Sequence, residues 1–412
     1  MSNNKRFIWQ YPWGYAESFI IAITLLFLGF AINYTGKSTV SAIQLPVNLY
    51  MGIAIIILLL LIYFLFKKKP FVKWLSGTPA AISAICFYTF LVLLMGFIPQ
   101  GSPKASGLFH EIGLSDIVSS HTFLFAQIYF LVILGMVTLR RSFPLKGKNI
   151  GFFLNHFGLW LTLFAASIGA GDLQRVTLTA NMTDAVFYGV DQNKKTIHDL
   201  GIAIQLKEFN IEEYPPKAFI IDNKSGSILN KQLFYLEKGN KGEIIDREVE
   251  VTEFYKYGVY MGDKFHPVYD IGAAPAAYVV IRNKKTNEVN EGWISCGSFR
   301  FPGKFLELSD GMLLVMADPE PKKYSSKVKI YTSSGDALET IIEVNKPVTV
   351  DGWKIYQLNY NRDMGKWSDI SILELVKDPW ISVVYFGIFM LIAGAIYMFW
   401  IGNKKKRING YS

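Results

Sequence analysis

Two hydrophobic rhythms divide the chain. From residue 15 to 170 apolar residues run in long blocks almost free of charge, and one further block returns near the C-terminus. About 20 apolar residues rising 1.5 Å each cover a hydrocarbon layer roughly 30 Å thick, so blocks of this length predict membrane-spanning helices. Six qualify: Tyr15 to Ile32, Leu49 to Phe66, Ala80 to Ile98, Phe123 to Leu139, Ile150 to Ala170 and Trp380 to Ile401. Tyr11, Trp13, Trp380 and Trp400 flank them, where amphipathic rings favour the membrane interface.

Between 171 and 379 the rhythm shortens to alternation. GIAIQLKEFNI at 201–211, AAYVVIRN at 276–283, KVKIYTSS at 327–334 and GWKIYQLNY at 352–360 alternate apolar and polar residues between Gly, Pro, Asn and Asp pairs. That pattern predicts antiparallel strands with one buried face, and a β-sandwich or barrel is the default for such a set. The expected fold class is therefore a membrane α-helical bundle of six transmembrane helices plus an all-β extracytoplasmic domain. Its expected parts are two N-terminal helices in 1–66, three core helices with short loops in 67–170, the β-rich domain in 171–379, and the last helix with a basic tail in 380–412. The chain has no internal repeat and no low-complexity tract.

Composition agrees, with 51% hydrophobic residues in 412. The net charge of +9 invites a nucleic-acid partner until the charges are located. With the N-terminus inside, the inner segments hold Lys5, Arg6, Lys67, Lys68, Lys69, Lys73, Arg140, Arg141, Lys146, Lys148, Lys404, Lys405, Lys406 and Arg407, whereas the short outer loops hold only Lys37 and Lys104. By the positive-inside rule both termini are expected in the cytoplasm. The 171–379 segment keeps 26 basic against 30 acidic residues, so the basic balance reflects topology, and no nucleic-acid partner is expected. The first apolar run follows Lys5 and Arg6 without a clear cleavage site and reads as a retained signal-anchor. Cys86 lies in the third span and Cys296 in the outer domain, so no internal disulfide is expected.

Inside the spans the ionisable residues are Glu17 and His156. His156 sits about 9 Å of helix rise past the start of the fifth span, in NIGFFLNHFGLWLTL. A polar group at that depth needs a partner. An inter-helix hydrogen bond is one reading; a neutral imidazole ligating haem iron, with Trp160 at i+4 against the porphyrin, is the other. Arg140, Arg141 and Lys148 lie at similar depth, either as topology determinants or as contacts for haem propionates. His121 stands at the outer mouth of the fourth span, as a helix-boundary residue or as a ligand for an outer haem or metal. His110, His198 and His266 form no metal-spacing pair. The chain has no P-loop, C-x-x-C, G-x-S-x-G or paired membrane carboxylates, which disfavours ATP-driven pumping, thiol oxidoreduction and serine hydrolysis.

Three stretches in order resemble the ResB/CcsB family, membrane components of the system II machinery for c-type cytochromes. The first combines GFIPQGSP at 96–103, LFHEIGLSDIVSS at 108–120 and the LRR that ends at Arg141. The second is NHFGLWL at 155–161. The third is VNKPVTVDGWKIYQLNYNRD at 344–363 with LVKDPWISVVYFGIFMLIAGA at 375–395. Together they cover roughly residues 71 to 401. The resemblance implies that His156 takes the place of the family's transmembrane histidine, a proposed axial ligand of transient, non-covalent haem b. It further implies a haem-handling and scaffold subunit of a cytochrome c synthase, a non-autonomous part of a haem lyase in the bacterial inner membrane. The implied partners are a CcsA-type protein with a W-W-D segment, an apocytochrome c carrying C-x-x-C-H, and a thiol-reducing thioredoxin-like protein.

This chain departs from the family pattern in three ways. Residues 1–66 add two helices beyond the usual three before the outer domain, with packing on the partner as one role for them. Ser119, Ser120 and His121 stand where many relatives carry a paired aromatic, and no two tryptophans adjoin, so the W-W-D half must be a separate polypeptide. The rival expectation is an assembly or binding module for envelope proteins, anchored by the bundle, with no haem role.

Overall fold

The computed structural model describes residues 7, 10–36, 40–101, 107–192, 195–230 and 232–409, with the side chains of 401–409 excepted. Of the residues singled out above, Lys5, Arg6, Lys37, Ser102, Pro103, Lys104 and the side chains of Trp400's successors Lys404 to Arg407 lie outside this description.

The eight helices among the described residues are α1 (Tyr15–Gly36), α2 (Val47–Phe66), α3 (Pro70–Leu75), α4 (Thr78–Phe97), α5 (Leu108–Glu111), α6 (His121–Ser142), α7 (Ile150–Gly169) and α8 (Ile381–Asn409). All but the short α3 and α5 are long and apolar enough to cross a membrane. Their boundaries follow local chemistry. The Glu17 carboxylate accepts the Gly14 N–H at 2.8 Å and so ties down the start of α1. The Ser120 hydroxyl accepts the Phe123 N–H at 3.1 Å, which starts α6 at His121, two residues before the apolar block does. Pro79 lies in the first turn of α4, where its missing N–H leaves no helical bond unmade.

The bundle packs through small residues. A Cβ on Gly158 would lie 2.5 Å from the Leu391 nitrogen, and one on Gly394 would lie 2.4 Å from the Asn155 nitrogen, so α7 and α8 meet backbone to backbone. Gly29 brings α1 equally close to Thr122 of α6. The two additional helices pack on the core of their own chain: α1 lies against α4 and α6, and α2 against α6 and α7. Trp74 donates to the Ser18 hydroxyl at 2.9 Å, joining α3 to α1. Their polar and small side chains match sites inside the bundle, as where Asn48 of α2 donates to the Ile168 carbonyl of α7 at 3.0 Å.

Residues 174–377 form a separate compact unit built from three antiparallel sheets. The largest runs, edge to edge, through Ala337–Glu343, Pro321–Tyr331, Thr196–Glu213, Val186–Asp191, Gln174–Asn181, Ile370–Lys377, Trp353–Tyr360 and Val348–Val350. It curls around a core of Leu178, Ile204, Leu206, Ile330, Ile355 and Leu375. Bonds cross that interior, from Ser326 to Ser371 at 2.7 Å and from the Trp353 N–H to the Leu200 carbonyl at 3.0 Å. The second sheet runs through Val289–Ser295, Ala274–Asn283, Arg247–Met261 and Lys241–Ile244, with Lys264–Pro267 beside Arg247–Met261. The third runs through Leu306–Glu307, Met312–Met316, Lys217–Asp222 and Phe234–Tyr235, and shares a core with the second. The alternating stretches lie in strands of the first two sheets over 201–211, 276–283, 327–331 and 353–360. Ile202, Ile204, Leu206, Val279, Ile281, Val328, Ile330, Trp353 and Ile355 are buried because successive side chains on a strand point to opposite sides. The register shift between Gln357 and Asn359 breaks the alternation, leaving Leu358 exposed and Gln357 buried.

Candidate functional site

The stripes of α7 divide its work. Gly151, Asn155, Gly158 and Thr162 meet α8. Phe153, Phe157, Trp160 and Leu161 line an apolar slot with α2 and α6. His156 belongs to neither stripe. Its ring stacks on Phe152, one turn earlier, at a centroid separation of 3.8 Å, and the Arg141 guanidinium lies 4.4 Å over the same Phe152 ring. Arg141, Phe152 and His156 therefore form a column at one end of the bundle.

The proton on His156 can be placed by geometry. Nδ1 lies 3.2 Å from the Phe152 carbonyl oxygen, which can only accept, so Nδ1 is the donor and Nε2 keeps its lone pair. Among the described residues Nε2 has no hydrogen-bond partner. His121 repeats the arrangement. Its Nδ1 lies 2.8 Å from Asn33 Oδ1, and that oxygen also accepts the His121 backbone N–H at 3.0 Å, which identifies it as an acceptor. Asn33 of α1, which the apolar pattern hides, is thus what orients the His121 ring.

Trp160 and Arg140 are engaged within the bundle. Trp160 is 5% exposed, donates to the Leu131 carbonyl at 2.9 Å, and stacks between Phe157 and Phe164 rather than on the imidazole. Arg140 donates to the Lys73 and Ser76 carbonyls at 3.2 and 3.3 Å, fastening α6 to the junction of α3 and α4. Arg141 and Lys148 are exposed. Of the residues proposed for haem, the structure brings Arg141 to the His156 column.

The β domain contains a cleft that sequence reasoning missed. It has a volume of about 350 Å³ and is lined in part by Glu213, Cys296, Asp318, Tyr360, Lys366 and Trp367. Burial pushes the Glu213 carboxyl up, against the opposing pull of Lys366 and Lys256. Burial likewise pushes the Lys366 amine down, while Glu213 works to raise it. The amine donates to the Lys256 carbonyl at 3.0 Å and lies 4.2 Å over the Tyr257 ring. The Cys296 thiol is pushed up to about 12 by burial, with the nearby Asp318 charge adding to it, so it stays protonated at neutral pH and is a poor nucleophile. Both cysteines are free. Among the described residues no three His, Cys, Asp or Glu side chains converge to hold a metal ion. Nothing in the spacing of residues 213, 296 and 366 announces that they meet, because they come from three separate chain segments.

These features define an integral membrane protein whose antiparallel β domain is inserted before its last span. Residues 305–368 match the model of the ResB-like family, as a ResB/CcsB-type protein would. The matched segment contains 344–363, the first part of the third resembling stretch, and supplies Asp318, Tyr360, Lys366 and Trp367 to the cleft. No curated protein matches the chain.

Proposed function

We propose that this chain is the haem-handling and scaffold subunit of a system II cytochrome c synthase, working with a CcsA-type membrane partner. The family match supports a place in cytochrome c biogenesis. The observation that carries the haem assignment is the His156 ring, whose Nδ1–H rests on a backbone carbonyl and leaves the Nε2 lone pair without a partner. An imidazole serving only as helix glue would spend its second nitrogen on another helix.

The residues present fit haem as cargo. His156 supplies one axial nitrogen in a fixed tautomer, Phe152 backs its ring, and Arg141 brings a cation that suits a propionate. The second ligand comes from the partner in this reading. Haem then passes to the outer face, where the partner presents it to a C-x-x-C-H apocytochrome whose thiols a thioredoxin-like protein keeps reduced. Thioether formation demands orientation, reduced iron and excluded water. This chain contributes the hold and the scaffold. The β domain lies on the outer side and cradles the client or braces the partner.

The test is a spectrum of the co-purified pair. Wild-type protein should show a Soret band, and His156→Ala should weaken it severalfold, with added imidazole restoring part of the band by replacing the missing ligand. An unaltered band in His156→Ala, together with full cytochrome maturation in His156→Phe under limiting haem, would overturn the assignment.

A further inference from the structure

The slot between α2, α6 and α7 has no role in the haem column, since His156 does not line it. It has a volume of about 330 Å³, with Leu59, Leu60, Thr138, Phe143, Phe153 and Trp160 among its walls. Its two polar wall groups are already satisfied: the Thr138 hydroxyl donates to the Leu134 carbonyl at 2.7 Å, and the Trp160 N–H donates to Leu131. An apolar cavity of about 150 Å³ already takes up benzene in preference to water. A slot twice that size, within helices that span hydrocarbon, accommodates a hydrocarbon chain. It offers no ligand to a porphyrin iron.

What lies beyond its end selects the chain's headgroup. Contact between the Phe64 and Phe143 rings, at 5.7 Å, brings the ends of α2 and α6 together. Lys67 follows Leu60 by seven residues, about 10 Å of helix rise, and Lys148 precedes Phe153 by five, roughly 7 Å. Lys67, Lys68, Lys69, Lys146 and Lys148 are exposed, and residues 67–77 and 140–150 contain no Asp or Glu. Among the described residues none of the five makes an ion pair. Topology accounts for basic residues at this end of the helices; it does not account for an apolar slot that leads to them.

We propose that this slot is a binding site for one acyl chain of an anionic phospholipid whose phosphate rests on the lysines at the end of α2 and before α7. The second span then does more than fill space, because α2 supplies one wall of the slot and runs directly into Lys67, Lys68 and Lys69.

The experiment uses the full chain in an uncharged detergent and phospholipids with brominated acyl chains, which quench tryptophan on contact. Brominated phosphatidylglycerol should quench at about tenfold lower concentration than brominated phosphatidylcholine, and Trp160→Phe should remove that difference between the two lipids, the tryptophans at the ends of the spans being left to ordinary annular lipid. Filling the slot with Thr138→Phe, or independently from α2 with Ile56→Phe, should raise the half-quenching concentration about tenfold. Lys146→Gln with Lys148→Gln should bring phosphatidylglycerol toward the phosphatidylcholine value. Equal quenching by the two lipids, or quenching indifferent to both filling variants, identifies ordinary annular lipid and overturns the proposal. Full competition by soluble glycerol phosphate also overturns it, by showing that no tail is needed. Haemin that displaces the lipid and keeps its Soret band in His156→Ala assigns the slot to porphyrin instead. That last result leaves the lipid site refuted and, separately, removes His156 as the ligand.

Discussion

His156 and His121 are oriented by the same device, an Nδ1–H held on a carbonyl oxygen, one supplied by the helix backbone and one by Asn33. Such a device sets the tautomer before any ligand arrives. Two other titratable residues give opposite pH signatures. Glu213 has its carboxyl raised by burial, so the folded chain binds its proton more tightly than the unfolded chain does. Its contribution to stability is greatest below the unfolded carboxylate value and is lost as pH rises through the folded one. Glu213→Gln is therefore expected to raise the unfolding temperature of the full chain at pH 7, by a few degrees at most, and to leave it unchanged at pH 4. Asp172 is the reverse case. Burial works to raise it, but hydrogen bonds from Leu45 N, Asn48 Nδ2 and Trp380 Nε1, at 2.8, 2.6 and 2.6 Å, outweigh burial and lower it. Its contribution is present above the unfolded value and disappears as pH falls through the folded one. Asp172→Ala should cost about 1–2 kcal/mol at pH 7, since three bonded groups lose their acceptor. The deficit should shrink on acidification below pH 4, as denaturant titrations at the two pH values would measure.

At the scale of elements, the decisive contact is the close approach of α7 and α8. A side chain at Gly158 meets the backbone of Leu391, and one at Gly394 meets that of Asn155, so neither neighbour can swing aside. Gly158→Val and Gly394→Val should each destabilise the bundle by about 1–3 kcal/mol, the usual cost of overpacking, and lower its resistance to detergent on heating. Gly96→Ala is the control, because a Cβ there meets nothing within 4 Å. The glycines illustrate which elements were legible beforehand. Six long helices could be read from apolar run length, because lipid leaves a backbone no other way to satisfy its polar groups. The longer strands could be read from alternation at 201–211 and 352–360, where one face is buried. Helix pairing was not legible, since Gly158 and Gly387 look alike in sequence whether they face lipid or each other. The same limit applied to the sites. His156 stood out because a lone imidazole in an apolar run has one obvious cost, whereas Asn33 falls one position past the predicted first span. Glu213, Cys296 and Lys366 converge only through sheet geometry.

The charge distribution of the whole molecule carries a statement about its orientation that the helices alone do not. Fourteen Lys and Arg lie in segments that alternate to one side of the six spans, and two lie in the short loops on the other side. Five crossings before the β domain would place it opposite the N-terminal side, and a sixth would bring the chain back. Because translocating short basic segments is disfavoured, the basic side is expected in the cytoplasm and the β domain outside. A single-cysteine scan tests this in intact cells, after replacing Cys86. Ser333 lies on an exposed turn of the β domain, and Lys148 lies on the basic side. Cys296 does not confuse the readout, because its buried thiol stays protonated and reacts slowly. Ser333→Cys should label with a membrane-impermeant maleimide in unbroken cells, and Lys148→Cys only after the membrane is opened. Labelling of Lys148→Cys in unbroken cells, with Ser333→Cys protected, would invert the topology. It would also place the proposed outward passage of haem on the wrong side of the membrane.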